Sequence, residues 1–154
     1  MKRWLMKATV VLATLTPTVT WAATFQTIYS FKSTDGANPY AGLVIDAAGN
    51  LYGTTLNGGK NLTICGGFGC GTAFKLEPPN AIHPAWKLTT IATFNNSPDG
   101  ASPEGGLAFD LTQTNLYGTT AYGGGTNESG TVFQLSQPIA NKWKSTTTDR
   151  TATL

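Results

Sequence analysis

The strongest constraint on the fold is an internal repeat that runs through most of the chain. The block Asn-Leu-Tyr-Gly-Thr-Thr occurs at residues 50–55 and again at 115–120. Further blocks match in the same order: 35–37 with 99–101, 42–46 with 106–110, 58–59 with 123–124, and 71–76 with 130–135. The spacing between matched blocks changes only in the intervals between them, where loops are expected. The chain therefore contains two copies of one structural unit.

Each repeated block has the pattern of a β-strand, with apolar residues at every second position. Phe74 and Leu76 share one face in the first unit, and Phe133 and Leu135 do so in the second. Clusters of Gly, Asn and Pro separate the blocks and predict turns. The predicted strands of the first unit are 42–46, 51–55, 71–76 and 86–94, and the set begins again at Gly106. An additional strand is predicted at 25–31, because its apolar residues align with those of 86–94.

Four short strands in a unit of about 60 residues predict an all-β fold with propeller-like, antiparallel four-stranded blades. A two-sheet sandwich and a stacked solenoid are the alternatives. A closed propeller needs about four blades or more, so two copies form an incomplete ring. We therefore expect either a part of a longer repeat protein or a subunit that completes its ring by forming an oligomer. The polar stretch after Trp143, where an apolar strand is due, favours the longer protein.

The charge distribution argues against nucleic acid as a partner. The net charge of +2 includes three basic residues within residues 1–7, a segment without acidic residues. The remaining chain has seven basic and eight acidic residues, a net of −1. A basic surface that could bind a polyanion is therefore not expected.

Residues 1–23 are typical of an export signal. Basic residues precede the apolar run 8–15, Pro17 follows it, and Ala22 and Ala23 offer small residues for cleavage. The run is too short to span a bilayer, which takes about 20 residues, and no later segment is apolar enough to be transmembrane. We expect a mature domain over 24–154, with repeats at about 25–94 and 95–154. It is predicted to be secreted, extracellular or on the cell surface, with the periplasm as the alternative.

Two cysteines, Cys65 and Cys70, lie close together in the loop that only the first repeat carries. In an oxidising compartment such a pair predicts a disulfide. The spacing does not fit a redox Cys-x-x-Cys motif, and a metal site would need further ligands. We expect a modest contribution to stability, because the closed loop is short.

No catalytic, cofactor-binding or metal-binding residue is predicted. Asp46 and Asp110 occupy equivalent positions before a turn and suggest either paired carboxylates of a glycoside hydrolase or calcium ligands. Turn capping is the favoured interpretation, because an Asp side chain bonds its own turn and the residue recurs in both units. Whether the protein is an enzyme stays open, and the missing catalytic motifs favour a non-enzymatic role.

Aromatic residues give one candidate for ligand contact. Those that recur in phase with the strands are predicted to be core: Tyr52, Tyr117, Trp86 and Trp143. Tyr122 differs, because its counterpart in the first repeat is Asn57. A core role repeated in both units does not explain it, so Tyr122 is the candidate.

Together, the motifs Gly-Leu-x-x-Asp, Asn-Leu-Tyr-Gly-Thr-Thr-x-x-Gly-Gly and Gly-Thr-x-Phe-x-Leu resemble the GloVer tandem repeat of exported bacterial proteins. The resemblance covers residues 25 to about 144. It implies an extracellular repeat protein with a propeller-like fold and transfers no catalytic residues. We expect a binding or structural module for polysaccharide or cell-surface protein partners, without a cofactor. The alternative is a fragment of an extracellular polysaccharide hydrolase or lyase on a propeller scaffold.

When a bacterial host exports the chain, we expect cleavage after Ala22 or Ala23, because both leave a small residue at the cut. The intact mass of the exported protein identifies the site. A mature protein that retains residues 1–7 would contradict the predicted export signal.

Overall fold

A computed structural model describes residues 23–136 and the backbone of 144–147. It has two four-stranded antiparallel sheets, one for each repeat. Sheet 1 consists of β1 (Val44–Ile45), β2 (Leu51–Thr55), β3 (Thr72–Glu77) and β4 (Lys87–Thr93). Sheet 2 consists of β5 (Ala108–Phe109), β6 (Asn115–Thr120), β7 (Thr131–Ser136) and β8 (Lys144–Thr147). The strands pair in chain order within each sheet.

This architecture confirms the all-β prediction and the assignment of four strands to each repeat. Two packed sheets fit both the propeller-like blades and the alternative two-sheet sandwich. Among the described residues, Cys65–Gly67 is the only helical element, a short 3-10 turn. Accordingly, the described part of the chain has no helix with the length and apolar character to cross a membrane.

The glycine of the Leu-Tyr-Gly-Thr-Thr block has a packing role. Gly53 pairs with Phe74 across β2 and β3, as Gly118 pairs with Phe133 across β6 and β7. A Cβ atom on Gly53 would lie 2.8 Å from the Phe74 ring and 2.7 Å from Leu43. The missing side chain therefore lets the phenylalanine ring lie across the neighbouring strand, which recovers packing that a glycine otherwise loses.

Each sheet has two faces, which we name after their aromatic residues. The tyrosine face carries Tyr52, Thr54 and Ala73 in sheet 1, and Tyr117, Thr119 and Val132 in sheet 2. The phenylalanine face carries Leu43, Ile45, Phe74 and Leu76 in sheet 1, and Leu107, Phe109, Phe133 and Leu135 in sheet 2. The alternation of side chains along the paired strands assigns these faces.

The core lies between the tyrosine face of sheet 1 and the phenylalanine face of sheet 2. The rings of Tyr52 and Phe109 meet edge to face, with 5.1 Å between their centroids. Leu116 and Leu135 are fully buried in this layer. Both sheets therefore depend on this contact to bury apolar surface, which is the main favourable contribution to folding.

A pair of threonines forms a hydrogen bond in each sheet at the point where the glycine of the Asp-Gly-Ala loop approaches the sheet. The hydroxyl oxygens of Thr55 and Thr72 lie 2.8 Å apart, and those of Thr120 and Thr131 lie 2.9 Å apart. In sheet 1 the Thr55 hydroxyl also donates to the Asn57 carbonyl and accepts from the Thr72 amide. These contacts satisfy buried polar groups where the loop meets the sheet.

The aspartates before the turns act as turn caps, as predicted. The Asp46 carboxylate accepts hydrogen bonds from the amides of Ala48 and Asn50 and from the Tyr52 hydroxyl, each at 2.9 Å. Partial burial, the largest single influence, raises the pKa of Asp46, but the hydrogen bonds led by Asn50 outweigh it and leave the pKa below its usual value. Equivalent hydrogen bonds, led by those of Asn115, outweigh desolvation and lower the pKa of Asp110 to about 2.

The prediction of a strand at 25–31 is wrong. The segment has no strand pairing, and sheet 1 consists of β1, β2, β3 and β4 alone. Phe31 packs through its side chain instead: the rings of Phe31 and Phe74 lie 5.1 Å apart, edge to face. The Tyr29 hydroxyl donates to Asp35 at 2.6 Å.

The polar stretch after Trp143 does form a strand. Trp143 itself lies outside the described residues, and β8 pairs with β7 over four residues, where β4 has seven. Ladder hydrogen bonds use the backbone, so pairing does not require the apolar alternation that the sequence lacks here.

We expect Thr55→Val to lower the free energy of unfolding by about 1–3 kcal/mol, because it keeps the shape and leaves buried partners of the hydroxyl unsatisfied. Thr89→Val is the matched control, since Thr89 is exposed on β4. Urea unfolding followed by circular dichroism measures both. Equal stability of the two variants would contradict a structural role for the threonine pair.

Candidate functional site

Three loops enclose a cleft of about 350 Å³ between the two repeats. They are the β2–β3 loop, which carries the cysteines, the β4–β5 loop and the β6–β7 loop. The lining residues are Cys65, Asn96, Ala101, Ser102, Tyr122 and Glu128. The cleft therefore combines an aromatic ring with an amide, a hydroxyl and a carboxylate.

Tyr122 has a fixed backbone and an exposed ring. Its amide donates to the Ala101 carbonyl at 3.1 Å, and its carbonyl accepts from the Ala101 amide at 2.7 Å. The Thr120 hydroxyl donates to the same carbonyl at 3.0 Å. The Tyr122 side chain remains 61% exposed, so a hydrogen-bonded segment presents an aromatic surface to solvent.

Asn96 and Glu128 form the polar side of the cleft. Asn96 has a φ of 75°, a left-handed conformation that asparagine tolerates better than most residues. Its carbonyl accepts from the amides of Gly100 and Gly124 at 2.6 and 3.0 Å. Its side-chain amide donates to Glu128 at 3.4 Å, which links the β4–β5 and β6–β7 loops across the cleft.

The predicted disulfide between Cys65 and Cys70 is confirmed, with 5.3 Å between the Cα atoms. Cys70 is fully buried within the core, and its carbonyl accepts from the Ser102 amide at 2.9 Å. Cys65 lines the cleft. The disulfide loop of the first repeat is thus joined to the second repeat at the candidate site.

The chain matches the family model of the Gloeobacter/Verrucomicrobia repeat over residues 9–152. It belongs to this repeat family. The resemblance drawn from the sequence motifs is thereby confirmed. No curated protein and no solved structure matches the chain.

Within this repeat-family protein, the backbone around the cleft recurs in the first repeat. Ala37 bridges Asn57 as Ala101 bridges Tyr122. The carbonyl of Ser33 accepts from the amides of two glycines, as that of Asn96 does. The backbone arrangement is therefore the same in both repeats, while the side chains attached to it differ.

Sequence reasoning placed Tyr122 among the candidates and missed three polar residues, Asn96, Ser102 and Glu128. They come together only because the β4–β5 and β6–β7 loops meet in the fold. The available signal was the one that selected Tyr122, namely a difference between the repeats. Loop insertions obscured that comparison at Asn96 and Glu128, since they shift the alignment there, whereas Ser102 aligns with Asn38 without an insertion.

The remaining aromatic residues considered from the sequence lie outside the cleft. Tyr52 is buried, as predicted, whereas Tyr117 is 40% exposed and the prediction that it belongs to the core is wrong. The reason is that sheet 2 uses only its phenylalanine face in the contact with sheet 1. Trp86 is half-buried beside β4.

No cluster of three His, Cys, Asp or Glu side chains that could hold a metal ion occurs in the described ranges.

We expect Cys70→Ser to destabilise this family member more than Cys65→Ser does. Both variants lose the disulfide, worth about 1–2 kcal/mol for so short a loop, but only Cys70→Ser places a hydroxyl in the core, at a further cost of about 1–3 kcal/mol. Urea unfolding of the full chain, with reduced wild type as reference, measures the difference. Equal losses would contradict the assigned core role of Cys70.

Proposed function

We propose that this protein is an exported, non-enzymatic binding module that takes a polysaccharide in the cleft around Tyr122. The observation that carries the proposal is the grouping of Tyr122, Asn96 and Glu128 around one cavity of about 350 Å³. An exposed tyrosine ring offers an apolar surface with a polar edge. Sugar rings have the same mixture of apolar faces and hydroxyl groups.

The polar residues of the cleft fit this ligand class. The Asn96 amide both donates and accepts hydrogen bonds, the Ser102 hydroxyl does so too, and the Glu128 carboxylate accepts them. Sugar hydroxyls need donors and acceptors of both kinds. Pockets commonly orient a ligand in this way, with a few placed polar groups beside an aromatic surface.

Binding is favoured over hydrolysis by the acidic content of the cleft. Glycoside hydrolases ordinarily use two carboxyl groups on opposite sides of the scissile bond. Glu128 is the one carboxylate among the described lining residues. Asp46 and Asp110 are engaged in capping their own turns.

Export is part of the proposal. The residue pattern of 1–23 supports it, because it combines a basic start, a short apolar run and small residues at the expected cleavage point. The disulfide supports it as well, since such bonds persist mainly in oxidising compartments. We place the protein at the cell surface or in the extracellular medium, and we interpret its sheets as propeller-like blades.

A panel of immobilised bacterial cell-wall and capsular polysaccharides tests the binding function. We expect the wild-type chain to bind at least one of them and Tyr122→Ala to weaken that binding about tenfold or more, because buried aromatic contacts dominate binding energies. Tyr40→Ala is the matched control, since Tyr40 is 71% exposed and does not line the cleft.

The same panel is assayed for release of sugar. Release that is lost in Glu128→Gln, Asp46→Asn or Asp110→Asn would contradict a non-enzymatic role. Binding that is weakened equally by Tyr122→Ala and Tyr40→Ala would contradict the position of the site.

A further inference from the structure

The two sheets meet through one specific combination of faces, which we call the inner junction. The tyrosine face of sheet 1 covers the phenylalanine face of sheet 2. Besides the contact of Tyr52 with Phe109, the Thr54 hydroxyl donates to the Gly105 carbonyl at 3.1 Å. Each face in this junction has an equivalent on the other sheet, and those equivalent faces point away from the junction.

The outward tyrosine face of sheet 2 is exposed where its counterpart is buried. Tyr117 is 40% exposed, whereas Tyr52 is 2% exposed. Val132 is 72% exposed, whereas Ala73 is fully buried. An exposed valine and tyrosine in diagonal positions on one face of a strand pair are typical of an interaction surface.

The outward phenylalanine face of sheet 1 shows the same contrast at its β1 edge, whereas Phe74 and Leu76 are as buried as their counterparts in sheet 2. Leu43 is 51% exposed, whereas its counterpart Leu107 is 5% exposed. Pro39 is exposed, whereas its counterpart Pro103 is fully buried. A cleft of about 250 Å³ lies over this face, lined by apolar residues that include Leu43 and Pro39.

The segment before sheet 1 gives this face the same aromatic contact that the inner junction has. In the inner junction Phe94, which follows β4, packs edge to face on Phe133 with 5.0 Å between the ring centroids. On sheet 1, Phe31 packs on Phe74 in the same way at 5.1 Å. The outward face is therefore arranged as a junction face, although no described sheet lies on it.

The two outward faces also differ from the inner ones in compensating directions. On the tyrosine face Val132 replaces the smaller Ala73, and on the phenylalanine face Ile45 replaces the larger Phe109. A junction between the outward faces would thus keep its total side-chain volume close to that of the inner junction. Volume-conserving exchanges are the ones that a packed core tolerates best.

We propose that the tyrosine face of sheet 2 docks on the phenylalanine face of sheet 1 in a second copy of this chain, which repeats the inner junction between molecules. Tyr117 then packs on Ile45 as Tyr52 packs on Phe109. The contact is head to tail, so one copy keeps its phenylalanine face free and the other keeps its tyrosine face free for a further copy. Such heterologous contacts close into rings or extend as open stacks.

Single charges on the two faces test this arrangement in the full chain. We expect wild type to show a mass of two or more chains by light scattering after gel filtration. Val132→Asp disrupts the tyrosine face of sheet 2, and Ile45→Asp disrupts the phenylalanine face of sheet 1. Each variant alone is expected to be a single chain. Mixed together, they retain one complementary pair of faces and are expected to form a complex of one copy of each.

The mixing step separates this contact from a symmetric dimer, in which a face pairs with its own copy and one of the two variants would still associate alone. Ile82→Asp is the control, because Ile82 is 92% exposed in the β3–β4 loop and belongs to neither face. Tyr117→Ser and Leu43→Gln replace any aspartate variant whose circular dichroism shows unfolding. A monomeric wild type, association of either variant alone, or failure of the mixture to associate would overturn the proposal.

Discussion

The buried threonine pair is the interaction on which the rest of each repeat depends. In sheet 2 the Thr120 hydroxyl lies 2.9 Å from that of Thr131 and donates to the Tyr122 carbonyl. Gly100 approaches the pair so closely that a Cβ atom there would collide with both side chains. The β4–β5 loop and the start of the β6–β7 loop therefore meet at the threonine pair. Separating them would leave the threonine hydroxyls without hydrogen-bond partners, which destabilises the fold. Sheet 1 repeats the arrangement with Thr55 and Thr72.

The repeated backbone contacts around the cleft explain how one protein can have two similar sheets and still present a single candidate site. Backbone contacts around the cleft are the same in both repeats, because they are needed to join loop and sheet. The side chains that face the solvent from this backbone are not under that requirement. Tyr122 in place of Asn57, together with the disulfide loop of the first repeat, therefore gives the second repeat a surface that the first lacks.

The contact between the sheets also leaves repeated features exposed. A sheet of this kind has two usable faces, and the inner junction buries only one face of each sheet. Apolar residues on the outward faces, such as Val132 and Ile45, repeat the pattern of residues that are buried inside. A repeated unit that cannot cover both of its faces alone is the physical basis of repeat architectures. The proposed head-to-tail contact extends that principle beyond one chain.

The sequence by itself determined the strands, the repeat and the disulfide, because these follow from period-two alternation, recurring glycines and a short cysteine spacing. It also predicted that Asp46 caps a turn, which is a local interaction. Only the tertiary structure decided that segment 25–31 packs through Phe31 without joining a sheet, since apolar alternation predicts an extended segment but not the strand with which it pairs. Only the structure brought Asn96 and Glu128 to Tyr122, and only it left Tyr117 outside the core. The physical reason is that a residue pattern specifies which side of a strand is apolar, whereas the packing of whole sheets and loops decides what covers that side.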